Sequence, residues 1–391
     1  MSGDWWILTS LWINSAKFGI LSYQSMVFKF TRKHAIVALP VGGIFVIFYG
    51  AVCQWQNSTS NQEEASMGIY MSNNRNINTF RNQNLETTID SNGQVKKQNG
   101  STELPHVLTY HNHQWELKNV CKPYKVYNTK SDFQLHDFKT NAGTVKIFTY
   151  DTNDHISAMI IKTGAFEVGT INRVLYELQK DSRLNLIDIG TNIGQHSIAA
   201  ALIGRKSLAI DGAQLTLERL CASVQYLNMR DKITMIYNIM SDSQGKRKVR
   251  YSASNKDFGG TFVESDDIHD KKMSQVEEKY WNSKALEHDA VTLDDFLDLP
   301  QIKSFQRVFI KIDVEGHEHK VLQGGINFFK KVHVGGIIME WFWHRNRESG
   351  NLIRSFMEER GYKAYEISRS KPQSISGQNH NKWPQDVLWL L

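Results

Sequence analysis

The sequence predicts an α/β fold, a mostly parallel, doubly wound, Rossmann-like sheet with an antiparallel end strand. Three observations predict it. Short apolar runs that end in an acid recur at Leu184–Asp188, Leu208–Asp211, Phe305–Asp313 and Val334–Glu340, the pattern of strands buried on both faces. Helical periodicity fills the gaps, at Gln195–Ile203, Leu215–Leu227 and Val321–Phe329. Gly190 and Gly194 bracket a tight turn between the first of these strands and its helix.

From the N-terminus, residues 1–34 read as a cytosolic tail and Ala35–Trp55 as a transmembrane helix, uncharged over the ~20 residues that cross a bilayer. Lys17, Lys29, Arg32 and Lys33 precede it and no Lys or Arg follows until after Asn74, so the positive-inside rule places the remainder across the membrane. Residues 56–104 are rich in Asn, Gln, Ser and Thr and read as a flexible stem. The sequons at Asn57 and Asn99 fall in it, as expected of N-glycosylated lumenal chain. Residues 105–391 are the lumenal globule, with a core from about 156 to 391. Tail, anchor, stem and globule together make the plan of a single-pass type II Golgi enzyme that modifies carbohydrate; a plasma-membrane ectoenzyme has the same plan.

Composition bounds the partners. Hydrophobic residues make up 41% of the chain, enough for a substantial core, and the net charge of +6 is scattered apart from short clusters such as Lys246–Lys248. Nucleic acid is therefore not an expected partner. The three cysteines have no metal spacing. Cys121 and Cys221 would be able to pair in an oxidising lumen, but the expectation is an unpaired Cys221 on a buried helix face.

Within the globule, Val145–Tyr150 and Ile156–Ile161 read as a hairpin around Thr152-Asn153-Asp154, and Ile171–Gln179 as an amphipathic helix. Ile233–Ile239 reads as a third strand, Arg247–Asp289 as an insertion that shapes a pocket, and Thr292–Phe296 as a short capped helix. Leu352–Arg360 reads as a helix, with strands at Tyr362–Ile367 and Asp386–Leu391.

The strand–glycine turn–helix–strand–acid unit of Leu184–Asp211 favours a nucleotide-like cofactor. Glycine lets a ligand approach the main chain, and an acid at the end of the second strand accepts hydrogen bonds from ribose hydroxyls. The spacing G-x-G-x-x-G is absent because Asn192 stands at its middle glycine, so S-adenosylmethionine fits better than NAD. Glu167 is a candidate contact for that cofactor's amino group, or a solvent-facing turn acid. Asp242 is a candidate adenine contact, or ordinary turn chemistry.

Asp188-Ile-Gly-Thr-Asn-Ile-Gly194, Ile310-Lys-Ile-Asp-Val-Glu-Gly316 with Gly324-Gly325, and Ile337-Ile-Met-Glu340 together resemble the FkbM-type methyltransferases, over roughly Ile156–Tyr365. The resemblance implies a class I methyltransferase fold that uses S-adenosylmethionine, mostly to methylate hydroxyls of sugars and natural products. It implies that Asp188, Gly190, Asn192 and Gly194 surround the methionine and ribose parts of the cofactor. Asp211-Gly212 departs from the Glu-Pro common in that family.

For the chemistry, a sugar hydroxyl needs a base to take its proton. Asp313 is the first candidate, at a strand end, with Glu315 and His317 next; the alternative roles are orienting the cofactor for Asp313 and capping a helix for Glu315. Glu340, Trp341 and His344 are candidate substrate contacts, with Trp341 and Trp343 alternatively core or rim. No metal ligands are assigned, although Asp313 with Glu315 would offer a divalent metal two carboxylates; His317 and His319 share no helix face. The expected function is an S-adenosylmethionine-dependent O-methyltransferase acting on a glycan in the Golgi lumen. The alternatives are a Golgi glycosyltransferase with Asp313-Val314-Glu315 as a metal motif, a methyltransferase of a non-glycan small molecule, and a non-catalytic lumenal protein.

Overall fold

The structure, a computed structural model, describes residues 104–122, 133–251, 260–264, 286–367 and 372–391, together with short strands between residues 6 and 53. It divides into two units, Met1–Asn84 and Leu85–Leu391.

In the first unit, Trp6–Thr9 pairs with Met26–Thr31, which also pairs with Val52–Cys53, and Ile36–Val41 forms a hairpin with Ile44–Tyr49. Strands thus occupy Ile36–Val41 and Ile44–Tyr49 of the run expected as a helix over Ala35–Trp55. The β-branched and aromatic residues of the two strands (Ile36, Val37, Val41, Phe45, Val46, Ile47) suit that conformation. Among the described residues no helix is long and apolar enough to cross a membrane. Asn57, Asn99 and residues 56–103 lie outside the described residues.

The second unit opens with two hairpins, β1 (Val107–His111) with β2 (Gln114–Lys118) and β3 (Gln134–Thr140) with β4 (Gly143–Thr149). Helices α1 (His155–Thr163) and α2 (Val168–Lys180) lead into β5 (Leu184–Ile189), α3 (Gln195–Leu202), β6 (Ser207–Asp211), α4 (Gln214–Tyr226) and β7 (Ile233–Tyr237). A small sheet of β8 (Ile239–Met240), β9 (Gly245–Tyr251), β10 (Thr261–Val263) and β11 (Leu286–Val291) follows. The chain then runs through α5 (Pro300–Ser304), β12 (Arg307–Ile312), α6 (Glu318–Gln323), α7 (Phe328–Lys331), β13 (Val334–Glu340), α8 (Glu348–Glu358), β14 (Lys363–Glu366) and β15 (Asp386–Leu390).

Among the described residues nine strands form the central sheet, in the order β14-β15-β13-β12-β5-β6-β7-β1-β2. Strands β13 to β1 are mutually parallel, β15 is antiparallel to β13, and β2 is antiparallel to β1. The doubly wound sheet with an antiparallel end is therefore as expected, and β1–β2 extends it on the far edge with residues that precede 156. Strand order turns back on either side of β5, the switch point at which open α/β sheets bind ligands outside the carboxyl ends of their strands. Alternate residues of each strand feed opposite cores: Ile187, Ile189, Ile310 and Ile312 join one apolar cluster, Leu186 and Phe309 another.

Two local expectations are overturned. His155–Thr163 is a helix, not the second arm of a hairpin: Asp154 caps it by accepting from the Ser157 N–H, and Gly164 closes it. Strand β4 instead pairs backwards with β3. Cys121 and Cys221 form a disulfide with Cα atoms 5.5 Å apart, where an unpaired Cys221 was expected. The link joins the segment after β2 to α4 within one apolar cluster, so burial of Cys221 and pairing coincide. The expected helix at Val321–Phe329 is split into α6 and α7 by Gly324-Gly325, which packs against Ser241, Thr292 and Leu293.

Candidate active site

The bend after β5 rests on two residues in the left-handed region that glycine enters at little cost, Gly190 (φ +74) and Gly194 (φ +88). A Cβ on Gly190 would overlap the carbonyl oxygen of Asp313, and one on Gly194 the side chain of Leu220. The bend therefore lies directly against the end of β12. Lys311 ties the two strands together. Its Nζ donates to the Gly190 carbonyl at 2.7 Å and lies 3.3 Å from Asp313 Oδ2 and 4.0 Å from Asp188 Oδ1. Burial works against its charge, but Asp313, Asp188 and Glu167 outweigh burial and raise its pKa above the ordinary lysine value, so it remains an ammonium.

Asp188 is fully buried. Its Oδ2 accepts from Thr191 Oγ1 (2.7 Å), Ser197 Oγ (2.7 Å) and the Ser197 N–H (3.1 Å), while Oδ1 has no hydrogen-bond partner. Asp211 accepts from the N–H groups of Asn192 and Ala213, each at 2.8 Å. Asn192 is itself left-handed (φ +52), which aims its N–H back at Asp211. Burial pushes the Asp211 carboxyl up to about 6, against the pull of those two bonds. An orphaned buried oxygen on Asp188, an acid at the end of the second strand and a bend that admits no Cβ fit S-adenosylmethionine, which carries ribose hydroxyls and two cationic centres.

Beside the bend is a small cleft, lined among others by Glu167, His196, Lys311, Asp313, Glu340 and Asp386. Glu340 ends β13 and stands opposite Asp386, which begins β15. Lost solvation, joined by Asp313, Glu315, Glu318 and Asp386, pushes Glu340 up to about 11, so it is protonated at neutral pH. Burial and Asp313 push Asp386 up to about 6. Glu167 is exposed as a residue, yet its carboxyl reaches into the cleft, where lost solvation and Asp313 push it up to about 8. His196 is 3% exposed; burial and Lys311 lower its pKa to about 4, so the ring is neutral.

The structure gathers Asp188, Gly190, Asn192, Gly194 and Asp211 at the bend, and Glu167, Asp313 and Glu340 in the adjoining cleft. Four other expected site residues are placed differently. Trp341 is 0% exposed, donates from Nε1 to the His380 carbonyl and packs against Trp383 and Trp389; it is core, not a substrate contact. His344 is buried between Glu318 Oε2 (2.7 Å) and Ser349 Oγ (2.8 Å), which leaves neither ring nitrogen for a substrate. His317 is buried, 3.1 Å from Ser241 Oγ, and burial lowers it to about 3; it lies behind the cleft, not in it. Asp242 is occupied by Lys320 Nζ at 3.1 Å and by the hydroxyls of Ser241 and Ser243; Lys320 holds its pKa low despite burial. Glu315 takes a left-handed conformation (φ +54) at the edge of the cluster, near enough to raise Glu340.

Sequence reasoning missed Lys311, His196, Glu318 and Asp386. Lys311 had a signal, a cation inside an otherwise apolar strand. The place of Asp386 depends on a long-range antiparallel register that periodicity does not carry.

Residues 188–364 match the model of the methyltransferase FkbM domain. No curated protein matches the chain. Similar solved structures include a precorrin-6y C5,15-methyltransferase of Geobacter metallireducens (TM-score 0.32, 13% identity, 62% of this chain and 95% of that one covered). An S-adenosylmethionine-dependent methyltransferase of Agrobacterium tumefaciens (0.32, 10%, 71% and 72%) and an S-adenosylmethionine-dependent O-methyltransferase of Thermotoga maritima (0.29, 8%, 73% and 92%) are others. Similarity at that level carries no inference about substrate.

Proposed function

Since residues 188–364 form a methyltransferase FkbM domain served by S-adenosylmethionine, we propose that the chain methylates a hydroxyl oxygen of a glycan, with Asp313 as the base. The observation that carries this reading is the position of Asp313, at the junction of the glycine bend and the acidic cleft, beside Lys311.

Bound at the bend, S-adenosylmethionine supplies a methyl group on a cationic sulfur, already a strong electrophile. The chain then has to align an acceptor oxygen and receive its proton. Asp313 receives the proton, and the Lys311 ammonium 3.3 Å from its Oδ2 fixes the carboxyl in position. Such a base contributes about 10²–10⁴-fold. Glu340, protonated, donates a hydrogen bond to a second acceptor oxygen, and Asp386 accepts one from a neighbouring hydroxyl. This set of donors and acceptors suits a polyhydroxylated ring better than a lone phenol. The Asp313-Val314-Glu315 glycosyltransferase alternative falls with the methyltransferase domain.

A lumenal setting belongs to the same proposal. The Cys121–Cys221 disulfide supports an oxidising compartment, and the uncharged run 35–55 with basic residues before it supports attachment to a Golgi membrane, N-terminus cytosolic. Full-length chain incubated with S-adenosylmethionine and a panel of neutral glycans, read by mass spectrometry, is expected to yield singly methylated sugar. Methylation of small phenols or amines with no glycan product would overturn the acceptor class. A mobility shift on glycosidase treatment, lost in Asn57→Gln with Asn99→Gln, tests the lumenal side.

A further inference from the structure

Carboxylate oxygens of Asp313, Glu318 and Glu340 all lie within 4.8 Å of one another. They come from three different elements: the end of β12, the first turn of α6 and the last residue of β13. Glu318 is fully buried; the Val314 N–H binds its Oε1 and His344 binds its Oε2, so its carboxylate is fixed in place. On Glu340, Oε2 is buried and has no hydrogen-bond partner.

A second observation is independent of the acids. His196 lines the cleft that Asp313 and Glu340 also line, is 3% exposed, and has no hydrogen-bond partner on Nε2. A buried imidazole nitrogen left open toward a cleft calls for a ligand or an ordered water. Around this cleft stand Glu167, Asp313, Glu318, Glu340 and Asp386, with Lys311 the cation among the lining residues. The methyl donor brings one net positive charge. Acids in that excess, some of them directly opposed across strands, either keep protons or are held together by a divalent cation that displaces them.

From this geometry we infer that Asp313, Glu318 and Glu340 form a binding site for a divalent cation of the Mg²⁺ or Mn²⁺ type, with a water or acceptor oxygen on its open side facing His196. All three protein ligands offer hard carboxylate oxygens, Glu340 exchanging its proton for the cation, and such oxygens suit those ions over soft ones. The cation deepens the proposed reaction, taking the place of the Glu340 proton as the group that holds an acceptor oxygen. An acceptor hydroxyl bound to it is more acidic and is fixed in position. Metal binding itself does not depend on the acceptor being a glycan.

The test uses full-length protein and Mn²⁺ alone, read by electron paramagnetic resonance of free Mn²⁺ and by titration calorimetry. One saturable site is expected, competed by Mg²⁺, with affinity lowered at least tenfold in Glu340→Gln and, separately, in Asp313→Asn. Folding of both variants is checked by circular dichroism, and they avoid the buried Glu318–His344 pair. The absence of a saturable site, or a site unchanged in both variants, would overturn the inference. Methyl transfer measured after EDTA treatment separates the two proposals: activity that falls at least tenfold and returns with Mn²⁺ supports the metal in catalysis. Mn²⁺ binding with no methylated glycan under any metal would sink the acceptor assignment and leave the metal site standing. Full activity in EDTA, on protein shown to be free of metal, would remove the cation from the reaction.

Discussion

Glu340 and Asp386 occupy directly opposed positions of the antiparallel β13–β15 pair, two acids facing across the wall of the cleft. Like charges opposite one another in a sheet are destabilising, and the pair avoids the conflict by keeping a proton: Glu340 is pushed up to about 11 and Asp386 up to about 6, in each case first by lost solvation. An acid whose pKa is raised on folding binds more protons folded than unfolded, so stability falls as pH rises from the unfolded value, near 4, to the folded one. Glu167, pushed up to about 8, and Asp211, up to about 6, act in the same direction. Metal-free protein is therefore expected to melt at a lower temperature at pH 8 than at pH 6. Glu340→Gln, which removes a titrating member of the group, is expected to flatten that slope and to stabilise the protein by about 1 kcal/mol at pH 8, roughly 2–4 °C in Tm. Thermal denaturation at both pH values, in chelator, checks it; a steeper slope in the variant would contradict the assignment.

Asp313→Asn keeps the shape of the side chain and removes its basicity. Turnover is expected to fall about 10²–10⁴-fold, while S-adenosylmethionine affinity, measured by calorimetry, changes little because the bend and Asp211 are untouched. Asp211→Ala is expected to do the reverse. It strips the acceptor from the Asn192 and Ala213 N–H groups and weakens cofactor binding at least tenfold. If the two variants show the same split between affinity and turnover, the roles are misassigned.

Lys311→Met tests the link between the two. The substitution leaves Asp188 and Asp313 near each other without their shared cation, and breaking one partner of a buried charge cluster costs about 3–5 kcal/mol. A urea denaturation midpoint close to wild type would mean that the carboxylates find another counter-charge.

How much of this was readable beforehand differs from element to element. The run Val334–Glu340 was delimited to the residue, because a strand buried on both faces has no polar interruption until it reaches the sheet edge. Asp188, Gly190, Gly194 and Asp211 lie together at the bend for a similar reason: a short-range motif fixes its own geometry. His155–Thr163 was misread because Ile156, Ile160 and Ile161 suggest a strand, and the cap at Asp154 was passed over. Trp341 and His344 follow Glu340 in sequence but turn inward, toward Trp383 and Glu318. Their burial is decided by partners far along the chain, to which local pattern is blind. The register that sets Asp386 against Glu340 is non-local in the same way.

The disulfide gives a prediction of a different kind. Cys121 and Cys221 are separated by 100 residues, and closing a loop of that length removes unfolded-state entropy worth about 4.7 kcal/mol at 25 °C in the chain-entropy model. Cys121→Ser with Cys221→Ser, or treatment with reductant, is expected to lower the unfolding free energy by several kcal/mol without altering the acidic cleft. A matched fall in stability for both treatments is the expected result; reduction without effect would mean that the pair is not bonded in the isolated protein.

The aromatic residues that follow Glu340 offer a last test of the acceptor. Trp341 and His344 being buried, the residues between them are the ones left toward solvent: Phe342 is 50% exposed, and Trp343 is half-buried with its ring 5.2 Å from Phe342 and 5.7 Å from Phe262 of the small sheet. If the acceptor is a sugar, as proposed, this aromatic pair, which begins two residues after Glu340, is the surface on which its apolar face stacks. Stacking of this kind binds substrate and transition state alike, so its removal appears in KM. Phe342→Ala is expected to raise KM for the glycan about 5–10-fold, near 1 kcal/mol, with kcat and S-adenosylmethionine affinity nearly unchanged. Steady-state kinetics with the glycan as varied substrate decides it: a fall in kcat at constant KM would place Phe342 in the chemical step, and no change in either would remove this aromatic pair from acceptor binding.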